Sequence, residues 1–454
     1  MNIEIHEALT QIKQKGLYTL KKWLSVLLLV SLTASLLAAC GSAKSETAGG
    51  AEGSEGKSGS KKVVAWAWDP SFNGAALKIA EELYKKDHPD FQLEVVDMAK
   101  TDLEQKLNTN LAAGVKDGLP DIILVNDPNI QKYVTAYPNT FADFTDKVDY
   151  SQFSPYKVDA LRIDDKIYGV PFDIGVTGMF YRTDYLEQAG FKAEDLENIT
   201  WDRYIEIGKE VKEKTGKYMS TINPNDEALT SILLQSGGSW YITPDNKGNF
   251  VDNPVMAETL RVYKAISDSG IAKPVTGWSE FVGSFNSGDV ATVVSGVWQV
   301  ASIMDAKDQS GKWGVAPIPR LNVEGAVNAS NEGGSSWFVL EGSANKDLAI
   351  DFLAKTIGGS SEFYERFLKE NGGVGSYIPA FSSEAYGQES EFFGGQAIYK
   401  DFTEWSKQVP GISLGTYTQE AKDALKNELP NILNGADLKD SLFNIQRLFE
   451  QQVQ

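Results

Sequence analysis

Thiols and imidazoles are nearly missing from this chain. Cys40 is its one cysteine, and His6 and His88 are its two histidines. That scarcity excludes His/Cys metal sites, and it excludes Cys–His or Ser–His–Asp catalysis as usually built. His88 sits in Lys86-Asp87-His88-Pro89, which reads as an exposed helix end. Positive charge is scarce too. Lys and Arg number 43 against 62 Asp and Glu, a net charge of −19. Nucleic-acid binding needs clustered Lys and Arg, so no nucleic-acid partner is expected. The acidic surface favours solubility beside an anionic membrane. No Gly-x-x-x-x-Gly-Lys-Ser/Thr loop occurs, so ATP hydrolysis is not this chain's task. Asp245, Asn246 and Asp252 miss the spacing of an EF-hand calcium loop and read as a hairpin turn. No cofactor and no metal are expected. Carboxylate chemistry or plain binding remains.

What is present begins around Cys40. Lys21 and Lys22 form a basic start, and Trp23 to Ala39 carries no charge and is rich in Leu and Val. Small residues then flank the cysteine. This is the three-part layout of a secretory signal. An uncleaved membrane span would show basic flanks after the run. Gly41 to Ser60 is instead small, polar and Gly/Ser-rich, a flexible tether. The signal holds Lys13, Lys15, Lys21 and Lys22 against Glu4 and Glu7, so the chain beyond it is more acidic than the whole. Leu37-Ala38-Ala39-Cys40 resembles the lipobox of bacterial lipoproteins. The resemblance implies a signal peptide over 1–39 and a lipidated Cys40 opening a tether over 40–61. Two acyl chains suffice to hold such a protein on a membrane, where one would be marginal. The expected location is extracytoplasmic, on the outer face of the bacterial cell membrane.

Past the tether lie about 390 residues, too many for one ordinary core and suited to two lobes. Val63 to Trp68, Phe91 to Val96 and Asp121 to Val125 read as buried strands; Gly74 to Lys86 and Asp102 to Ala113 read as helices between them. That alternation predicts an α/β fold with a mainly parallel sheet flanked by helices, and ligands in such sheets sit at the carboxyl ends of the strands. The residues there are Trp68, Asp69, Asn126 and Asp127. Further on, Gly175 to Arg182 reads as a strand, Thr200-Trp201-Asp202 caps a helix, and Asn253-Pro254 starts another. Gly237 to Asn253 reads as a hairpin. Val290 to Val294, Trp313 to Ala316 and Trp337 to Leu340 are strands, and helical patterns dominate from Asp347 to Gln451.

Several stretches together resemble the extracellular solute-binding proteins of carbohydrate ABC importers, of the maltose-binding-like class. They are Tyr168-Gly169-Val170-Pro171 with Gly178 to Leu186, Phe285-Asn286-Ser287-Gly288-Asp289 leading to Ser295-Gly296-Val297-Trp298, Trp313 to Pro319, and Gly333-Gly334-Ser335-Ser336-Trp337. They fall in the family's order over nearly all of 62–454. Trp66 to Asn73 and Gly333 to Trp337 look most like the lactose-type members. The resemblance implies two α/β lobes joined by crossovers near 171–176, 333–336 and 392–396. The amino lobe is then 62–172 plus 336–392, and the carboxyl lobe 176–333 plus 396–454. It also implies reversible capture of a sugar or oligosaccharide by lobe closure, docking on the transmembrane subunits of an ABC permease, a monomeric state, and no enzymatic activity.

A neutral saccharide offers hydroxyls that Asp and Asn can grip and C–H faces that aromatic rings can cover. On that reading the candidate ligand residues are Trp68, Asp69, Asn126, Asp127, Asp173, Trp240, Trp278, Trp298, Ser336, Trp337 and Tyr417. Trp298 follows a glycine turn where the family presents a stacking aromatic, and Tyr417 precedes a helix in a region where it places another. Asp173, Ser336 and Trp337 lie at expected crossovers. Each has a plainer account. Trp66 and Trp68 share a strand face, which a core would also explain. Asp69 fits a helix cap, Asn126-Asp127-Pro128 a helix start, and Asp173 a turn. Trp201 and Trp313 are assigned to packing. The rival readings are a lipid-anchored glycoside hydrolase using a carboxylate pair, and the same fold holding a polyamine or peptide.

Overall fold

The computed structural model describes residues 62–115 and 117–453. The signal segment, Cys40 and the tether lie outside them. Among the described residues twelve strands occur in chain order: β1 Lys62–Ala67, β2 Gln92–Asp97, β3 Ile122–Asn126, β4 Arg162–Ile163, β5 Lys166–Ile167, β6 Val170–Pro171, β7 Thr177–Arg182, β8 Ser220–Ile222, β9 Ala272–Pro274, β10 Thr292–Gly296, β11 Trp313–Ala316 and β12 Ser335–Val339.

The first lobe is built on a five-stranded sheet in the order β2-β1-β3-β12-β6. Its three leading strands are parallel, with helices Ala75–Tyr84 and Lys100–Ala112 in the connections. β3 reads Ile-Ile-Leu-Val and is buried along that run, as a strand covered on both faces must be. β12 returns antiparallel between β3 and β6, every residue buried. Phe172 packs on its Trp337 and in turn against Phe363 and Phe367.

The second sheet departs from expectation. It has three strands, β10-β7-β11, and both pairings are antiparallel. Neither sheet is therefore mainly parallel throughout: one is mixed and one antiparallel. The reason lies in the connections. β7 follows β6 through the short segment 172–176, and β10 and β11, which follow helices Trp278–Asn286 and Val300–Met304, both run antiparallel to it, so the βαβ alternation legible over 62–126 does not recur. β7 is central and wholly buried, and its Phe180 packs on Phe402 of helix Ile398–Ser406.

Local punctuation follows the sequence. Thr200 Oγ1 accepts from Arg203 N and opens helix Trp201–Thr215, which Gly216 ends with φ 70°. Asn253 caps helix Pro254–Asp268 through Val255 N and Met256 N. Thr243 N donates to Lys247 O across the 244–247 turn, and Ile242 bridges Gly248. After β12 only helices follow among the described residues, the last being Leu438–Gln452. His88 is a correction: it is half-buried, its ring stacked on Tyr84 with centroids 4.1 Å apart. No helix among the described residues is long and apolar enough to cross a membrane.

The chain passes between the sheets at 172–176, where β6 of the first gives way to β7 of the second. Ile174 N donates to Val374 O at 3.0 Å, and Glu332 N donates to Gly175 O at 2.8 Å. A Cβ on Gly175 would lie 2.0 Å from Glu332 O, so these two passages touch only because that side chain is missing.

Candidate functional site

The end of β3 turns directly into helix Asp127–Ala136, with Pro128 in its first turn. That places Asn126 and Asp127 at the sheet's carboxyl edge. Asn126 Nδ2 donates to Gly334 O at 2.9 Å. Asp127 is buried and paired with the fully buried Lys157, and its Oδ1 accepts from Ser336 Oγ at 2.8 Å. Burial pushes its carboxyl up, and Lys157 and Ser336 oppose that without overturning it.

Two chambers open beside this edge. One, of about 250 Å³, is the more polar of the two. Asn126, Asp127 and Tyr156 wall it from the first lobe, Trp240, Gln235 and Lys422 from the second, and Asn331 and Glu332 from the passage between. Trp240 is held by Nε1 donating to Thr418 Oγ1 at 2.8 Å. Lys422 and Lys426 hold Glu227 below the usual carboxylate range, although burial works against them. The other chamber, of about 360 Å³, is richer in aromatic and aliphatic walls, among them Trp278, Trp298, Phe281, Leu229 and Ile222. Trp278 is 54 % exposed and faces Trp298 with ring centroids 5.9 Å apart. Trp298 is fixed by Nε1 donating to Glu332 O at 3.1 Å. Asp226, Ala228 and Glu332 belong to both walls. A third, more open depression of about 640 Å³, between Val300 and Tyr399, holds none of the candidate residues.

Five of the eleven candidates thus line a chamber: Asn126, Asp127, Trp240, Trp278 and Trp298. Six do not. Trp68, one residue past β1, is half-buried against the first core, with Lys100 Nζ of helix Lys100–Ala112 5.7 Å from its ring centroid. Asp69 is exposed at φ 57° and accepts from Ser71 N and Phe72 N, capping the turn over Pro70–Gly74. Asp173 Oδ1 is taken by Ser335 N and Ser335 Oγ at 2.7 and 2.6 Å. Ser336 is fully buried on Asp127, and Trp337 is fully buried in the first core. Tyr417 sits at the start of helix Thr418–Leu433 and packs against the second core. Trp313 is core, as expected. Trp201 is also buried, but it reaches the aromatic chamber and its indole N–H has no partner among the described residues.

Sequence reasoning missed Asp226, Glu332, Tyr156 and Lys422. Asn223-Pro224-Asn225-Asp226-Glu227 carried a usable signal, a polar run between strand β8 and an apolar helix. Glu332 carried only its adjacency to Gly333-Gly334. Burial pushes its carboxyl up to about 7, against hydrogen bonds from Ser295 Oγ and Gly296 N.

Comparison with known proteins places this architecture. Over 393 residues the chain is 47 % identical to the lactose-binding protein of Rhizobium radiobacter, covering 87 % of this chain and 93 % of that one. It is 29 % identical over 317 residues to the arabinooligosaccharide-binding protein of Bacillus subtilis strain 168, covering 67 % and 71 %. The fold matches that of the sugar-binding protein MalE from Xanthomonas citri with a TM-score of 0.73 at 21 % identity, covering 86 % and 98 %. Residues 80–391 match the family described as bacterial extracellular solute-binding protein, and the chain belongs to that family.

Proposed function

We propose that this protein captures an uncharged saccharide between its lobes and passes it unchanged to the transmembrane subunits of an ABC importer. Lactose or another galactose-containing di- or oligosaccharide is the first candidate. The observation that carries the reading is the pair of adjacent chambers with a shared wall, with indoles beside carboxylates and amides at the lobe edges. The 47 % identity to a lactose-binding protein supports it. Trp278 and Trp298 offer ring faces to sugar C–H groups, while Asn126 and Asp226 offer hydrogen bonds to hydroxyls. The lobes, 62–172 plus 336–392 and 176–333 plus 396–454, close about their crossovers, and ligand favours closure by touching both. Cys40 carries the lipid that holds the monomer at the outer face of the membrane.

Titration calorimetry against lactose, β-1,6-galactobiose, arabino-oligosaccharides and maltose tests this. The expected result is one-to-one binding of a galactoside, with the sugar recovered intact. Cleaved sugar supports a glycoside hydrolase instead, and spermidine binding without sugar binding supports a polyamine carrier. Trp298→Ala removes a platform worth about 1 kcal/mol or more, so sugar affinity falls roughly tenfold. Labelled palmitate should enter the wild-type chain in cells and not Cys40→Ala.

A further inference from the structure

Both chambers meet at one carboxylate whose place is over-determined. Glu332 lies in the shared wall. Its amide donates to Gly175 O at 2.8 Å, and its carbonyl accepts from Trp298 Nε1 at 3.1 Å. Its side chain accepts from Ser295 Oγ at 2.9 Å and Gly296 N at 3.1 Å, and both bonds fall on Oε2. The end of β10, the indole of Trp298 and the crossing segment at Gly175 therefore all hold it. Oε1 is the oxygen left to meet an incoming donor.

We propose that ionised Glu332 accepts a hydroxyl of the bound saccharide through Oε1 at the wall the two chambers share, so that a proton on this carboxyl competes with capture. This rests on the saccharide reading above. A hydroxyl bonded to an anionic oxygen makes a shorter and stronger bond than one bonded to a neutral group. A proton on Oε1 turns that acceptor into a donor and removes the charge. Burial moves the competition into the neutral range, to about 7, instead of the range of an exposed glutamate. Asp226, in the same wall, pushes in the same direction, and Lys422 from helix Thr418–Leu433 pulls the other way. The other charges around the chambers are paired, Asp127 with Lys157 and Glu227 with Lys422 and Lys426.

Calorimetry with lactose and β-1,6-galactobiose between pH 5.5 and 8.5 tests the assignment on the full processed chain. Affinity should fall roughly tenfold from pH 8.5 to 5.5, the loss of one charge-assisted bond. At pH 7 the measured heat should vary with the ionisation enthalpy of the buffer in the sense of proton release. Glu332→Gln should bind with neither dependence. A flat wild-type profile, proton uptake in place of release, or a Glu332→Gln profile like the wild type overturns the role of Glu332. If that variant does not fold, the buffer dependence of the wild type decides alone. Absence of binding by any sugar at any pH overturns the saccharide reading itself, an outcome distinct from binding without proton linkage.

Discussion

Replacing Asp127 with asparagine should be among the most damaging single changes in the first lobe. Lys157 is 0 % exposed and Asp127 4 %. The lysine's ammonium has that carboxylate and Ser335 O, 3.0 Å away, as its partners. Gly334 closes the cluster so tightly that a Cβ there would lie 3.1 Å from both Asp127 Oδ2 and Lys157 Nζ. Asp127→Asn leaves a buried ammonium without its counter-charge, which costs about 3–5 kcal/mol. The reverse change should cost less. Burial already pushes the Asp127 carboxyl up past what Lys157 and Ser336 pull down, so in Lys157→Met it neutralises itself by keeping a proton. The remaining loss is about 1–3 kcal/mol of hydrogen bonding and packing. Adding Lys157→Met to Asp127→Asn should recover stability relative to Asp127→Asn alone. Urea unfolding followed by both fluorescence and circular dichroism measures all three, with coincident transitions as the check on two-state behaviour. An Asp127→Asn loss below about 1 kcal/mol, or a Lys157→Met loss larger than it, refutes the reasoning.

Glu332 also predicts a pH signature in the absence of sugar. Its folded-state value, about 7, lies above the ordinary 4.5, so its favourable contribution is full below about pH 4.5 and lost as pH rises through 7. Glu332→Gln should therefore gain on the wild type by on the order of 2–3 kcal/mol between pH 4.5 and 8, read from unfolding midpoints across that range. Gly175→Ala forces a Cβ to within 2.0 Å of Glu332 O and should cost more than about 2 kcal/mol, because two backbones must part. Trp240→Phe removes the 2.8 Å bond to Thr418 Oγ1 and should cost about 1 kcal/mol in the same assay. Lys132 and Glu420 join helix Asp127–Ala136 to helix Thr418–Leu433 at 2.7 Å, 40 % and 24 % exposed. Glu420→Gln should change stability by less than about 1 kcal/mol, yet raise the radius of gyration of the sugar-free protein in solution scattering.

The division between what the sequence discloses and what it withholds follows the range of the interactions. β1, β3 and the helices between them were legible because hydrophobic period and caps are local, and Asn126 and Asp127 came with them as the residues that end a strand. Thr200 and Asn253 were legible as caps for the same reason. Trp68 and Asp69 satisfied that local logic equally well, yet the first packs against the core beneath Lys100 and the second folds back on Ser71 and Phe72. Nothing within a few residues of either position separates them from Asn126. Trp337 was misplaced because a residue beside a crossover faces either the cleft or the core, and β12 alternates faces one residue at a time: Ser336 and Trp337 both ended buried. Glu332 is the extreme case. Its meaning comes from Gly175, Ser295, Gly296 and Trp298, which lie 157, 37, 36 and 34 positions away along the chain. A carboxylate held by partners so distant acquires its shifted proton affinity only when both lobes have folded around it, so it is the kind of site residue that composition and spacing are least able to reveal.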